Sequence, residues 1–260
     1  MPPKRPDGWG GWNLEKHDHY EKRPMKYLFI ILSLAVVAII SPADAAERKF
    51  SISSFEEVRV SGSVNVIIST DRGVSASAEA ANREILDRVS LRKSGNQLIV
   101  LVSPKTSGRD THFSADETVT VTLSSYIVKS IIHSGSGTVS LDKLGGRDPK
   151  ARLTGFGVLT INDVEADTLT VAMNGGGEIV IAGQAKKGRI NLLGSSIFDG
   201  SQLTLETLEL AQRGPASSHV FVEKEANIAN SGTGQIQIDG RPNCSVKSAG
   251  SAQIICDPER

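Results

Sequence analysis

Seven times between residues 134 and 256 the chain repeats one short phrase, a glycine-headed turn followed by an alternating apolar strand. The copies read SGSGTVSL, TGFGVLTI, NGGGEIVI, LGSSIFDG, RGPASSHVFV, SGTGQIQI and AGSAQIIC. Their first glycines are Gly135, Gly155, Gly175, Gly194, Gly214, Gly232 and Gly250, spaced 20, 20, 19, 20, 18 and 18 residues apart. A period that drifts but stays bounded is what one turn of a solenoid gives, because each turn must stack only on its neighbours.

Inside each unit the fourth and sixth residues after the glycine are apolar in most copies: Val139 and Leu141, Leu159 and Ile161, Ile179 and Ile181, Ile236 and Ile238. Polar residues such as Ser140, Thr160 and Gln237 separate them, and this period of two marks a strand with one buried face. A second short strand follows in several units, at Leu169/Val171, Ile190/Leu192 and Leu208/Leu210. Equivalent strands then stack about 4.8 Å apart, so seven rungs make a ladder of roughly 30 Å. The glycines serve turns that need φ > 0 and leave little room for a Cβ. A flexible Ser/Gly linker would not carry an alternating strand at a fixed offset. Two units depart from the pattern. PASSH precedes Val220 and Val222 after Gly214, which predicts a bulge or loop there, and Gly200 stands where an inward apolar residue belongs.

Upstream of the ladder, F55-x-x-V-x-V60 leads into SGSVNVII, an outlying copy headed by Gly62. Residues 74–80 alternate, residues 82–89 read as a short helix capped by Asn82, and 98–102 and 119–123 read as strands. Ser103–Asp116 is the one long polar loop, and nothing resembles a linker to a second domain. The fold expected for residues 46–260 is a single all-β domain, a parallel β-helix-like solenoid with one short helix.

Residues 25–46 read MKYLFIILSLAVVAIISPADAA. Lys26, the apolar run from Tyr27 to Ile40 and Ala43-Asp44-Ala45 make the three regions of a secretory signal peptide, with cleavage after Ala45. The apolar run ends at Pro42, short of the about 20 residues that span a bilayer, and no lipidation cysteine follows it. Residues 1–24 are either an upstream mis-start ahead of Met25 or a long leader, so His17 and His19 are not read as a metal pair. The expected address is the periplasm or surface of a bacterium, with no stable membrane span after cleavage. Beyond residue 45 there are 23 basic against 24 acidic side chains, with no charged block. That balance argues against nucleic acid as a partner. In an exported chain the two cysteines, Cys244 and Cys256, read most simply as a disulfide, worth roughly 3 kcal/mol by loop-closure entropy. Two buried free thiols or a metal pair are the alternatives, the latter without nearby histidine.

The F-x-x-V-x-V opening, the early SGSVNVII, the L-x-V strand, the ladder of S-G-S-G units and the closing Gly240-Arg-Pro242 resemble, as a set, the bacterial DUF2807 or head GIN domain group of autotransporter adhesin heads, over residues 50–257. The resemblance implies a right-handed parallel β-helix-like fold and an exported location, and little about activity. The chain departs from the pattern at Leu123-Ser-Ser-Tyr126, where a proline is expected after the strand, and in the Gly194 and Gly214 units, which lack G-x-G.

No H-x-x-E-H, G-x-S-x-G, Walker or C-x-x-C motif is present, so no catalytic residue, cofactor or metal ligand is assigned. The run Asn174-Gly-Gly-Gly177 leads into a strand, without the helix N-terminus a phosphate loop needs. Parallel β-helices also host polysaccharide lyases and hydrolases, and Asp142, Asn162 and Asp163 are where such carboxylates would stand. Solvated turns rich in Asp and Asn give the same pattern. Arg109, Asp110, His112 and Asp116 share the polar loop, and His133, beside the first SGSG, reads as a surface residue. Aromatics are only 5% of the chain, which counts against glycan binding by ring stacking. The function expected is a non-enzymatic, adhesin-like or structural envelope protein that contacts an envelope protein, a glycan or another copy of itself. A ligand- or glycan-binding module is the alternative, and a polysaccharide-active enzyme the third reading.

Overall fold

The structure, a computed structural model, describes residues 46–107, 110–112 and 118–256. The leader, the signal peptide with its cleavage point and residues Arg109 and Asp116 lie outside the described residues. In chain order the strands are β1 (Ala46–Lys49), β2 (Glu57–Gly62), β3 (Asn65–Ser69) and β4 (Ser75–Ala80), then helix α1 (Arg83–Asp87). There follow β5 (Val89–Ser94), β6 (Gln97–Val102), β7 (Lys105–Ser107), β8 (Asp110–His112), β9 (Val119–Ser124), β10 (Ser130–Gly135), β11 (Thr138–Leu144) and β12 (Lys150–Gly155). The long strands β13 (Val158–Gly175), β14 (Glu178–Gly194), β15 (Ile197–Arg213) and β16 (Ser217–Asn230) bend around corners, and β17 (Gln235–Gly240), β18 (Asn243–Ser248) and β19 (Gln253–Cys256) close the chain.

These strands wind into a three-faced parallel solenoid. The first face stacks β6, β2, β10, β12, the second halves of β13, β14, β15 and β16, and then β18. The second face stacks β9, β3, β11, the first halves of β13 to β16, then β17 and β19. A short third face pairs Lys143–Leu144 with Asp163–Val164 and then stacks Glu165–Ala166, Gln184–Ala185, Thr204–Leu205 and Phe221–Val222. The corners between faces are where the ladder slips register, as between Ile161 and Glu165.

The glycine turns join the first face to the second. At Gly155 φ is +112°, and a Cβ there would stand 2.7 Å from the carbonyl oxygen of Gly135 one rung below. Conformation and space therefore both require glycine. Gly232 differs: its φ is not positive, and only the approach of the Gly214 carbonyl excludes a side chain. The outlying copy is not outlying in space, because Gly62 lies directly beneath Gly135. The rung below it, β6–β9, follows β2–β3 in sequence yet stacks under it, so the chain returns past its own first rung to begin β10. That bottom rung has Val102 in place of the turn glycine.

Inward side chains from all three faces form one aliphatic core, including Val139, Leu141, Leu159, Ile161, Leu169, Val171, Ile190, Leu208 and Leu210, all buried. Gly200 leaves its inward slot to its own neighbour, for a Cβ there would meet the Phe198 ring at 2.9 Å. Phe198 is larger than Ile179 and Ser218, which stack on either side of it, so the empty position offsets the ring.

Three sequence expectations are corrected. The Gly214 unit carries no bulge: Ser217, Ser218 and Val220 pair in register with both neighbouring rungs. Buried Ala216 keeps the turn narrow, and Ser218 points inward to donate to Gln212, whose amide donates to the Ala216 carbonyl at 2.8 Å. Two register shifts fall later: β15 carries residues 201–203 in excess of β16, and β16 carries one residue more than β15 between Val222 and Glu225. The long polar loop contains an antiparallel pair, β7 with β8, so Asp110 and His112 lie on a strand. His133 is no surface residue: it is fully buried in the core column between Val60 and Leu153, because it shares the inward parity of Ile131.

The expected helix is present as α1. Asn82 caps it by accepting from the Ile85 amide at 3.0 Å, and Ile85 and Leu86 are buried. The serines that stand in place of a proline after β9 are hydrogen-bonded: Ser124 to Ser75 at 2.6 Å, and Ser125 to the Phe55 carbonyl at 2.7 Å.

Candidate functional site

Outward side chains at the corner between the third and first faces alternate in sign from rung to rung: Arg147, Asp167, Lys186, Glu206, Lys224. Parallel stacking sets equivalent positions about 4.8 Å apart, close enough for each charge to reach the next. Asp167 receives Arg147 Nε at 3.1 Å and Lys186 Nζ at 2.7 Å, and Glu206 receives Lys224 Nζ at 2.6 Å. Beside them Lys143 bridges Asp163 at 3.2 Å and Glu165 at 3.4 Å. Arg147, Glu165, Asp167, Lys186, Glu206 and Glu223 border a groove of about 550 Å³ that crosses successive rungs, with Gln184 and Thr204 also lining it. A smaller recess of about 180 Å³ adjoins it through Gly146 and Glu165 and is bordered by Tyr126, the exposed tyrosine of the described residues.

Ion pairing around the groove favours the charged forms of Asp167, Lys143, Lys186 and Lys224. The hydrogen bond from Lys186 lowers the pKa of Asp167, and the same bond raises that of Lys186. The hydrogen bonds Lys143 donates to Asp163 and then to Glu165 raise its pKa, and the one Lys224 donates to Glu206 raises that of Lys224. General acid–base catalysis needs a group that titrates near the working pH. Asp167 is pushed down and Lys143, Lys186 and Lys224 are pushed up, away from that pH, so these four side chains suit polar contact.

Other outward features lie elsewhere. On the first face, Ala211 and Ala229 form the floor of a trough of about 370 Å³ walled by Arg189, Glu209 and Asn227. Glu209 accepts from Lys187 and from Arg189 Nε at 3.1 Å, and its pKa is lowered by the first of these bonds. On the second face the ladder sets Asp199 beside His219, whose Nε2 meets Asp239 at 2.5 Å. The Ser201 amide holds the Asp199 pKa down, and hydrogen bonds from His219 and Gln237 overcome the upward effect of burial on Asp239. Among the described residues no three His, Cys, Asp or Glu side chains are arranged to hold a metal, this cluster included.

The sequence pointed to other residues. Register sets Lys143 against Asp163, so that carboxylate meets an ammonium, while Asp142 and Asn162 stand exposed at the preceding position. Cys244 and Cys256 are joined, with their Cα atoms 6.7 Å apart. The bridge crosses the last rung from the first face to the second. Neither the charge ladder nor the His219 cluster was read from the sequence. Counting five residues on from Gly194 and Gly214 would have found Asp199 and His219 in one outward column.

The family model described as "Putative auto-transporter adhesin, head GIN domain" matches residues 54–242. No curated protein matches the chain. Among solved structures, a "putative adhesin" from Bacteroides fragilis superposes with a TM-score of 0.69 at 17% identity, over 81% of this chain and 96% of that one. One from Parabacteroides merdae, described in the same words, gives 0.61 at 14%, over 82% and 96%. A "putative lipid binding protein" from Parabacteroides distasonis gives 0.58 at 14%, over 82% and 98%. At these identities the likeness is one of fold. The match to the family model spans most of the chain, and the chain belongs to the DUF2807 family of head GIN domains.

Proposed function

We propose that this protein is an exported, non-enzymatic envelope protein of adhesin kind, which engages a protein or glycan partner through the corner groove bordered by Arg147, Asp167 and Lys186. The observation that carries the reading is the charge ladder itself. Donors and acceptors alternate at rung spacing along a groove of about 550 Å³, and the stacked strands beneath fix their positions. An extended polar chain could lie across several rungs and exchange hydrogen bonds with each. The nearby Tyr126 ring adds one stacking surface at the groove's end, which favours a glycan strand among polar partners. The lipid-binding description of one structural neighbour finds no counterpart here, because the interior is filled by side chains and the groove is walled by charge.

Binding of the purified protein to an array of envelope glycans, and to envelope proteins from a bacterial surface extract, tests the reading. Lys186→Glu should weaken binding at least tenfold, because three acids would then adjoin, while leaving the fold and its melting intact. Binding unchanged in Lys186→Glu and in Tyr126→Ala would remove the groove from consideration. Turnover of a polysaccharide abolished by Asp142→Ala or Asp163→Ala would overturn the non-enzymatic reading.

A further inference from the structure

The two ends of the solenoid are finished differently. At one end β5 pairs antiparallel with β6, β4 with β9 and β1 with β4, and α1 packs its buried Ile85 and Leu86 alongside. At the other, β18 pairs only with β16 and β19 only with β17, and among the described residues no strand pairs with their outer edges. The cost of that open end shows in one core column. Leu98, Val58, Ile131, Ala151, Val171, Ile190, Leu210 and Ile228 are at most 2% exposed, and the next member, Val246, is 45% exposed. An inward apolar side chain meets solvent there, together with a row of backbone groups open to pairing with another strand.

We propose that two copies of this chain join end to end through β18, as a two-fold dimer with Val246 at the axis. The strand's own geometry is self-complementary. Ala249 donates its amide to the Asn230 carbonyl one rung below at 2.9 Å, so by alternation the amides of Cys244, Val246 and Ser248 point to the open edge. Antiparallel pairing centred on Val246 sets it opposite Val246 of the second copy, and Cys244 opposite Ser248, so the outward-pointing amides and carbonyls meet as hydrogen-bonded pairs. The same register keeps inward residues opposite inward ones. It sets Lys247, the one charge on the strand, opposite Ser245, so no like charges face each other. At the far end the first-face edge is β5, antiparallel to β6, so a head-to-tail contact would join two unlike edges, whereas a two-fold contact joins like to like and closes on itself. Six residues at about 3.3 Å each make an end roughly 20 Å across. About 400 Å² of flat contact per copy, roughly 800 Å² in all, is less than the about 1,000 Å² of a stable interface, so the dimer should be weak and reversible.

Sedimentation velocity across the micromolar range tests this. The wild-type mass should rise from one chain to two and stop there. Val246→Asp, which sets two carboxylates at the axis, should remain a single chain at every concentration with unchanged circular dichroism and melting. Should that variant fail to fold, Val246→Pro decides, because it deletes an outward amide and keeps the bonds to β16. A wild-type protein that stays monomeric throughout, one that assembles beyond two, or a folded variant that dimerises as well as wild type would each overturn the proposal.

Discussion

At single residues the turns show two separate demands that one glycine often meets together. Gly155 needs its positive φ and the absence of a Cβ, whereas Gly232 needs only the second. Gly155→Val should therefore cost about 3 kcal/mol or more, from backbone strain plus overpacking, and thermal melting measures it; an unchanged midpoint would contradict the stacked-turn geometry. Buried polar side chains manage the turn backbones from inside the core. His133 Nε2 donates to the Gly137 carbonyl at 2.8 Å, Gln212 to Ala216, and Asn230 both accepts from the Gly232 amide and donates to its carbonyl. Burial pushes the His133 pKa below its ordinary value, against the smaller upward pull of the carbonyls of Gly137 and Val60. Below the unfolded value of about 6.5 the unfolded chain takes up a proton that the folded chain refuses, so stability declines as pH falls through that window. Urea unfolding at pH 7.5 and pH 5 should show this loss in wild type and less of it in His133→Leu, since Leu153 and Leu192 already occupy the same column. Equal losses in the two proteins would mean that His133 is not the group responsible.

Among the elements, those announced by a repeated phrase were legible and those without one were not. The strands after Gly135, Gly155 and Gly175 follow from the alternation of their apolar residues, and the Asn82-capped helix from its cap. The bottom rung escaped notice as a rung because Val102 stands at its turn and a long insertion follows it. The Gly214 unit misled because Ser218 is polar by composition but inward by parity; its hydroxyl is satisfied by Gln212, a partner six residues away that period alone does not reveal. The charge ladder went unread for a related reason. Arg147, Asp167, Lys186, Glu206 and Lys224 fall at corners, where register slips and a count from the glycine no longer finds equivalent positions. The bridge between Cys244 and Cys256 belongs to the last two elements. Mass spectrometry without reduction should recover their peptides joined, and replacing both by serine should lower stability by about 3 kcal/mol; free thiols in the oxidised protein would refute the pairing.

For the molecule as a whole, a solenoid with one covered end and one open end should not open uniformly. Each rung is held by its two neighbours, so the stability of a rung depends on whether both are present. β13, β14 and β15 have strands on both sides of every face, and the bottom rung has β5, β4 and β1 as substitutes for a missing neighbour. The last rung has one neighbour and the disulfide. Hydrogen exchange should therefore be slowest in β13–β15, intermediate in β5 and β6, and fastest in β18 and β19, since local opening of an end breaks the fewest contacts. Reduction of Cys244–Cys256 should speed exchange in β18 and β19 and leave β13–β15 unchanged. Association of two copies makes a further, separable demand: the outward amides of Cys244, Val246 and Ser248 should gain protection as concentration rises, while those of Ser245 and Lys247, already bonded to β16, change less. A uniform rate along the chain would show that the solenoid opens as one cooperative unit, and protection independent of concentration would leave the graded opening intact while removing the end-to-end contact.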